Sequence, residues 1–142
     1  MNNSEEYQNP SDEQIKEILQ KYKKIAVVGL SSDESRPSHG VARYLQRRGF
    51  KIIPVNPTET EILGEKAYPD LSSIPEKMEI VDIFRRPEHV LPIVDEAIKI
   101  GAKVVWMQEG VINHPAAIKA SQNGITVVMD RCMLKEYRSL SE

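Results

Sequence analysis

Five short apolar runs punctuate the chain: Ile25–Val28, Ile52–Val55, Ile80–Phe84, Val104–Met107 and Ile125–Met129. Each is rich in Val and Ile and nearly continuous rather than alternating. That pattern predicts strands covered on both faces, as in a parallel sheet. Between the runs lie helical stretches, Ser38–Arg48, Pro87–Ile100 and His114–Asn123, which end at Gly49, Gly101 and Gly124, the expected stop signal. Pro87 and Pro115 fall in first turns, where a missing N–H does no harm, whereas Pro92 should distort the start of its helix. Ahead of the first strand, Ser11 and Gln14 form a capping-box pattern, and Ile15, Ile18, Leu19 and Tyr22 give the helix one apolar face.

Residues 1–10 read as a flexible arm and 11–142 as a single domain. Gly64, Pro69 and Pro75 break the stretch after the second strand too often for a full helix. A small strand near Glu65–Ala67 and a helical turn near Leu71–Ile74 are expected there, and a last helix within Arg131–Leu140. Strands alternating with helices define a doubly wound α/β fold with a five-stranded, mainly parallel sheet. Such sheets bind ligands outside the carboxyl ends of their strands, at the switch point. The loops to search are therefore Gly29–Ser38, Asn56–Leu63, Arg85–Pro87, Gln108–Asn113 and Asp130–Cys132.

A net charge of −2 over 142 residues lends no support to a nucleic-acid or membrane-surface partner, so any anion site must be local. The single cysteine, Cys132, excludes an intrachain disulfide and fits a reducing compartment. The polar, acidic N-terminus lacks the pattern of a signal peptide, and the cytoplasm is the expected location.

The first loop joins Gly29 to a helix start, where free backbone N–H groups favour phosphate. A dinucleotide fingerprint requires Gly-x-Gly-x-x-Gly, but no second glycine follows until Gly40. The longer loop can still cradle a diphosphate through its backbone, Ser31, Ser32, Ser38 and the guanidinium of Arg36. The plainer reading is a strand–helix connection capped by Ser38. At the second strand end, Asn56-Pro57 replaces the acid that holds the ribose of NAD, leaving Asn56 as either a turn residue or a ligand contact. Arg85, Arg86 and Pro87 make a second cationic point facing the same crevice. Trp106 reads as core or contact, while Gln108 and Gly110 offer an amide and close backbone approach. Cys132 is a small buried hydrophobe by default, or the partner of a thiol-bearing ligand. The three histidines lack metal-ligand spacing, and no nucleophile elbow or Walker lysine is present. No catalytic residue is expected.

Ala26-Val-Val-Gly-Leu-Ser with Arg36-Pro-Ser, Ile53-Pro-Val-Asn-Pro with Ile62-Leu-Gly and Ala67-Tyr-Pro, Val81-Asp-Ile-Phe-Arg-Arg-Pro, Val105-Trp-Met-Gln-Glu-Gly and Asp130-Arg-Cys together resemble the CoA-binding domain proteins. These are small stand-alone relatives of the CoA-binding domain of succinyl-CoA synthetase α subunits and ADP-forming acyl-CoA synthetases. The likeness spans about residues 20–138. It implies a Rossmann-like fold and coenzyme A, or an acyl-CoA, as the ligand. The diphosphate would lie on Gly29–Ser38 and the adenosine end near Asn56, Pro57 and the Arg85–Pro87 corner. The pantetheine arm would run past Trp106–Gly110 towards Cys132, where a mixed disulfide with CoA is an expectation that intact-mass analysis of oxidised protein tests. The chain shows no ligase domain or phosphohistidine loop, so a binding module without ligase activity is expected. A small NAD(P)-dependent oxidoreductase and a regulatory nucleotide-binding partner protein are the alternatives, and a protein partner or homo-oligomer is left open.

Overall fold

The computed structural model describes residues 6–141. In chain order its helices and strands are α1 (Asp12–Lys21), β1 (Lys24–Val28), α2 (Pro37–Arg47), β2 (Lys51–Val55), β3 (Glu61–Ile62), β4 (Glu65–Lys66), β5 (Ile80–Ile83), α3 (Val90–Ile100), β6 (Val104–Met107), α4 (His114–Gln122), β7 (Thr126–Val128) and α5 (Met133–Ser141). The main sheet runs β2-β1-β5-β6-β7 with every neighbouring pair parallel. β3 and β4 form a separate antiparallel hairpin. This is the expected doubly wound, Rossmann-like α/β fold. The chain leaves β1 to build β2 on one side and returns to build β5 on the other, which puts the switch point between β1 and β5.

Alternate residues of one strand enter opposite cores, which explains the unbroken apolar runs. Ala26 and Val28 of β1 join Val81, Val105 and Val127 under α3 and α4. Ile25 and Val27 join Ile80, Val104, Trp106 and Val128 under α1, α2 and α5. The capping box of α1 forms, with Ser11 accepting from the Gln14 N–H and Gln14 accepting from the Ser11 N–H.

Two helix starts differ from expectation. α2 begins at Pro37, not Ser38, and its N-cap is Arg36, whose side chain makes no capping bond. Pro37 at the first helical position has no N–H to satisfy and a φ already suited to the helix. The stretch expected as one helix from Pro87 is a 3-10 turn, Pro87–His89, followed by α3 from Val90. Pro92 then falls in the first turn of α3, the latest place where its missing N–H is tolerated.

The flexible-arm expectation fails for residues 6–10. The Tyr7 hydroxyl donates to the Val127 carbonyl (2.7 Å) and accepts from the Val127 N–H (3.2 Å). Asn9 repeats this pairing at Met129, at 2.8 and 2.7 Å. The arm therefore saturates the outer edge of β7. Residues 1–5 lie outside the described part.

Candidate functional site

The site begins with a close approach of two strand ends. Gly29 has φ +89°, and a Cβ there would lie 2.3 Å from the Phe84 carbonyl oxygen. Only glycine lets the exits of β1 and β5 meet this closely. The Gly29 N–H donates to the Val55 carbonyl (2.9 Å) and the Phe84 N–H to the Val28 carbonyl (2.8 Å), tying three strand exits together.

The loop beyond Gly29 is held by its own hydroxyls. Ser38 Oγ accepts from the Ser31 N–H (3.0 Å), so Ser38 shapes the loop instead of capping the helix. Ser31 Oγ accepts from the Asp33 N–H (3.0 Å). His39 is buried, with Nδ1 2.9 Å from the Ser31 carbonyl. Hydrogen bonds from the Ser35 hydroxyl and N–H hold the Asp33 carboxyl below its ordinary range. Arg36 makes only a long, exposed ion pair with that carboxylate, at 3.9 Å, with its side chain 70% exposed.

Gly29, Ser31, Arg36, Ser38, Arg85, Arg86, Pro87, Gln108, Gly110 and Cys132 all line one cleft of about 630 Å³ at the switch point. Neither Arg85 nor Arg86 has a carboxylate within ion-pair distance among the described residues. Across the cleft the Gly110 N–H donates to Asp130 (2.7 Å), and Glu109 pairs with Lys135 of α5 (3.1 Å). Cys132 is buried at the N-terminus of α5, where its carbonyl accepts from the Glu136 N–H.

Asn56 and Pro57 line a second depression of about 410 Å³, which shares Gly29 and Arg85 with the cleft. The Asn56 amide donates to the Leu30 carbonyl (2.9 Å) and accepts from the N–H and hydroxyl of Thr58 (2.8 Å each). It is therefore a turn residue that pins two loops together, at the wall of a depression. Two expected contacts do not reach the cleft. Trp106 is fully buried, its indole N–H donating to the Arg131 carbonyl at 2.8 Å, because it points into the core inside β6. Ser32 turns away and donates to Glu59 (3.0 Å).

Sequence reasoning missed Pro37, Val41, Phe84, Glu109 and Val111, which complete the lining. Pro37, Glu109 and Val111 lie inside the strand-end loops marked for search and Phe84 borders one, so their positions were legible; Val41, inside α2, carried no signal. It also missed Asp82, fully buried on β5, whose Oδ1 accepts from Gln108 Nε2 at 2.7 Å. Burial pushes the Asp82 carboxyl up to about 7, against a smaller pull downward from that hydrogen bond.

A strand–Gly–helix exit, a second strand exit bearing two arginines, and one cleft between them are the marks of a nucleotide-type binding domain. The family model described as "CoA binding domain" matches residues 23–138, and the chain belongs to that family. It is 46% identical over 126 residues to the uncharacterized protein YneT of Bacillus subtilis, covering 89% of this chain and 93% of that one. A solved structure of a hypothetical protein from Pyrococcus horikoshii OT3 superposes with a TM-score of 0.92 at 42% identity, covering 100% of both chains. An ADP-forming acetate–CoA ligase II of Archaeoglobus fulgidus is 35% identical over 74 residues, which is 51% of this chain but 11% of that protein. The family match does not favour the oxidoreductase alternative. Among the described residues no helix is long and apolar enough to cross a membrane.

Proposed function

We propose that this chain binds coenzyme A, free or acylated, along the carboxyl rim of its sheet and has no ligase activity of its own. The observation that carries the reading is the single cleft shared by the Gly29–Ser38 loop and the Arg85–Arg86 corner. CoA carries a diphosphate and a separate 3′-phosphate. Arg36 on one wall and Arg85 and Arg86 on the other supply guanidinium groups for both, in the bidentate manner arginine favours. The adenosine end lies towards the Asn56–Pro57 depression, and the pantetheine arm follows Gln108 and Gly110 to the Cys132 thiol. The likeness to acetate–CoA ligase is confined to a small part of that enzyme, which supports carrying over binding alone.

Calorimetry with CoA, acetyl-CoA, NADP and ATP tests the reading. CoA or its thioester is expected to bind best. Arg36→Ala is expected to weaken CoA binding by about 1–3 kcal/mol, the value of a hydrogen bond to a charged group. Unchanged affinity removes Arg36 from the site, and tighter binding of NADP replaces CoA with a dinucleotide.

A further inference from the structure

Beneath the cleft is a polar pair that packing alone does not explain. Asp82 lies in the middle strand of the sheet, flanked in register by Val27 of β1 and Trp106 of β6. Its Oδ2 has no hydrogen-bond partner among the described residues. A fully buried carboxyl with one partner is expensive to retain. That one partner, Gln108, lines the cleft with its side chain almost wholly enclosed. The Gln108 amide has a donor end and an acceptor end, and the Asp82 bond decides which end is left for a ligand.

We propose that Asp82 is a positioning residue that fixes the orientation of the Gln108 amide, so that Gln108 presents its carbonyl oxygen to an N–H of the amide-bearing arm of the ligand. The proposal rests on the CoA reading and extends it to the pantetheine arm. An ionised Asp82 only accepts, so the Gln108 NH₂ must face it and Oε1 must face away. A protonated Asp82 has an O–H of its own, which can donate to Oε1 once the amide turns over. The NH₂ end then faces the ligand, and the acceptor is lost. A ligand that needs the acceptor therefore binds the ionised form better, and its affinity falls as pH drops.

Burial and the Gln108 bond are the influences on the Asp82 carboxyl, with no charged side chain acting on it. Among the described residues, the titratable and charged groups enclosed on that side of the sheet include His39 and Tyr44 of α2, Tyr22 after α1, and Cys132, Glu136 and Tyr137 at α5, with Arg131 paired to Glu136. The cleft adds Arg36, Arg85, Arg86 and Glu109. The CoA phosphate can also titrate near neutrality, and a variant at Asp82 leaves both it and His39 unchanged.

The test measures CoA affinity from pH 6 to 8.5 for the wild type, Asp82→Asn and Gln108→Leu, alongside the side-chain amide NMR signals of Gln108 in the ligand-free protein. The wild type is expected to lose about two- to tenfold in affinity towards the acid end, the worth of one neutral hydrogen bond. Asp82→Asn and Gln108→Leu are each expected to abolish that component of the slope. The Gln108 signals should shift with pH in the wild type and stay still in Asp82→Asn. If Asp82→Asn does not fold, the wild type and Gln108→Leu still decide the matter. An unaltered slope in either variant, or Gln108 signals that ignore pH, overturns the proposal. If CoA does not bind at any pH, the CoA reading fails, and with it the pantetheine role, while the Gln108 signals still decide whether Asp82 orients the amide.

Discussion

Gly29 concentrates the logic of the site into one residue. Its backbone is left-handed, and the Phe84 carbonyl occupies the place of its missing side chain. Alanine there incurs both the strain of a positive φ and a clash with backbone that cannot move without separating β1 from β5. Gly29→Ala is expected to destabilise the fold by about 2 kcal/mol or more and to abolish ligand binding. Urea denaturation measures the first effect, and a midpoint within experimental error of the wild type refutes it. At this scale the sequence was informative wherever a residue type had few uses. A glycine ending an apolar run and arginines at strand exits were legible. Trp106 was not, because a residue inside β6 and one just past its end look alike in sequence, yet only the latter, Gln108, reaches the cleft. The Asp82–Gln108 pair was hidden for a different reason: the two are 26 positions apart, and only the register of β5 against β6 joins them.

Elements were read well where burial on both faces forced a composition, and less well where a local signal had two meanings. The main-sheet strands track the expected runs, with β1 and β2 beginning one residue early at Lys24 and Lys51, because each must feed two cores. Ser38 resembled a cap, but its neighbour Pro37 carried the stronger start signal. The arm was misread because its polar residues suggested freedom. Tyr7 and Asn9 are instead spaced by two, the period of a strand, and they meet Val127 and Met129 at the same spacing. They do with side chains what a sixth strand would do with backbone, and they leave the β7 edge with fewer open hydrogen-bonding groups for a foreign strand to pair with. Tyr7→Phe and Asn9→Ala are each expected to cost about 1–2 kcal/mol by leaving partly buried groups unpaired. Chemical denaturation reads the loss, and the double variant should also show faster amide exchange at Val127 and Met129. Wild-type stability and exchange in the double variant would mean that the arm only rests on the edge.

At the scale of the whole molecule, the strand order decides function. No pattern in the chain states that β1 lies between β2 and β5, but once it does, the first and third strand exits of the main sheet open on one crevice. Arg36 approaches from the β1 side and Arg85 from the β5 side, so a ligand that engages both links two halves of the sheet that the chain itself connects only by long crossovers. Such a ligand binds the folded state alone, and its affinity adds to global stability by mass action. At a hundred times its dissociation constant CoA should add about 2.7 kcal/mol, equivalent to a rise of roughly 8–11 °C in Tm for a chain of this size. An Arg36→Ala, Arg85→Ala double variant at the same CoA concentration should lose most of that rise while keeping its ligand-free Tm, since both side chains are cleft-lining and neither anchors the core. NADP and ATP at matched concentration should shift the wild type less than CoA does. A rise that survives in the double variant would locate the phosphates elsewhere, and a larger rise with NADP would make this crevice a dinucleotide site despite its missing glycines.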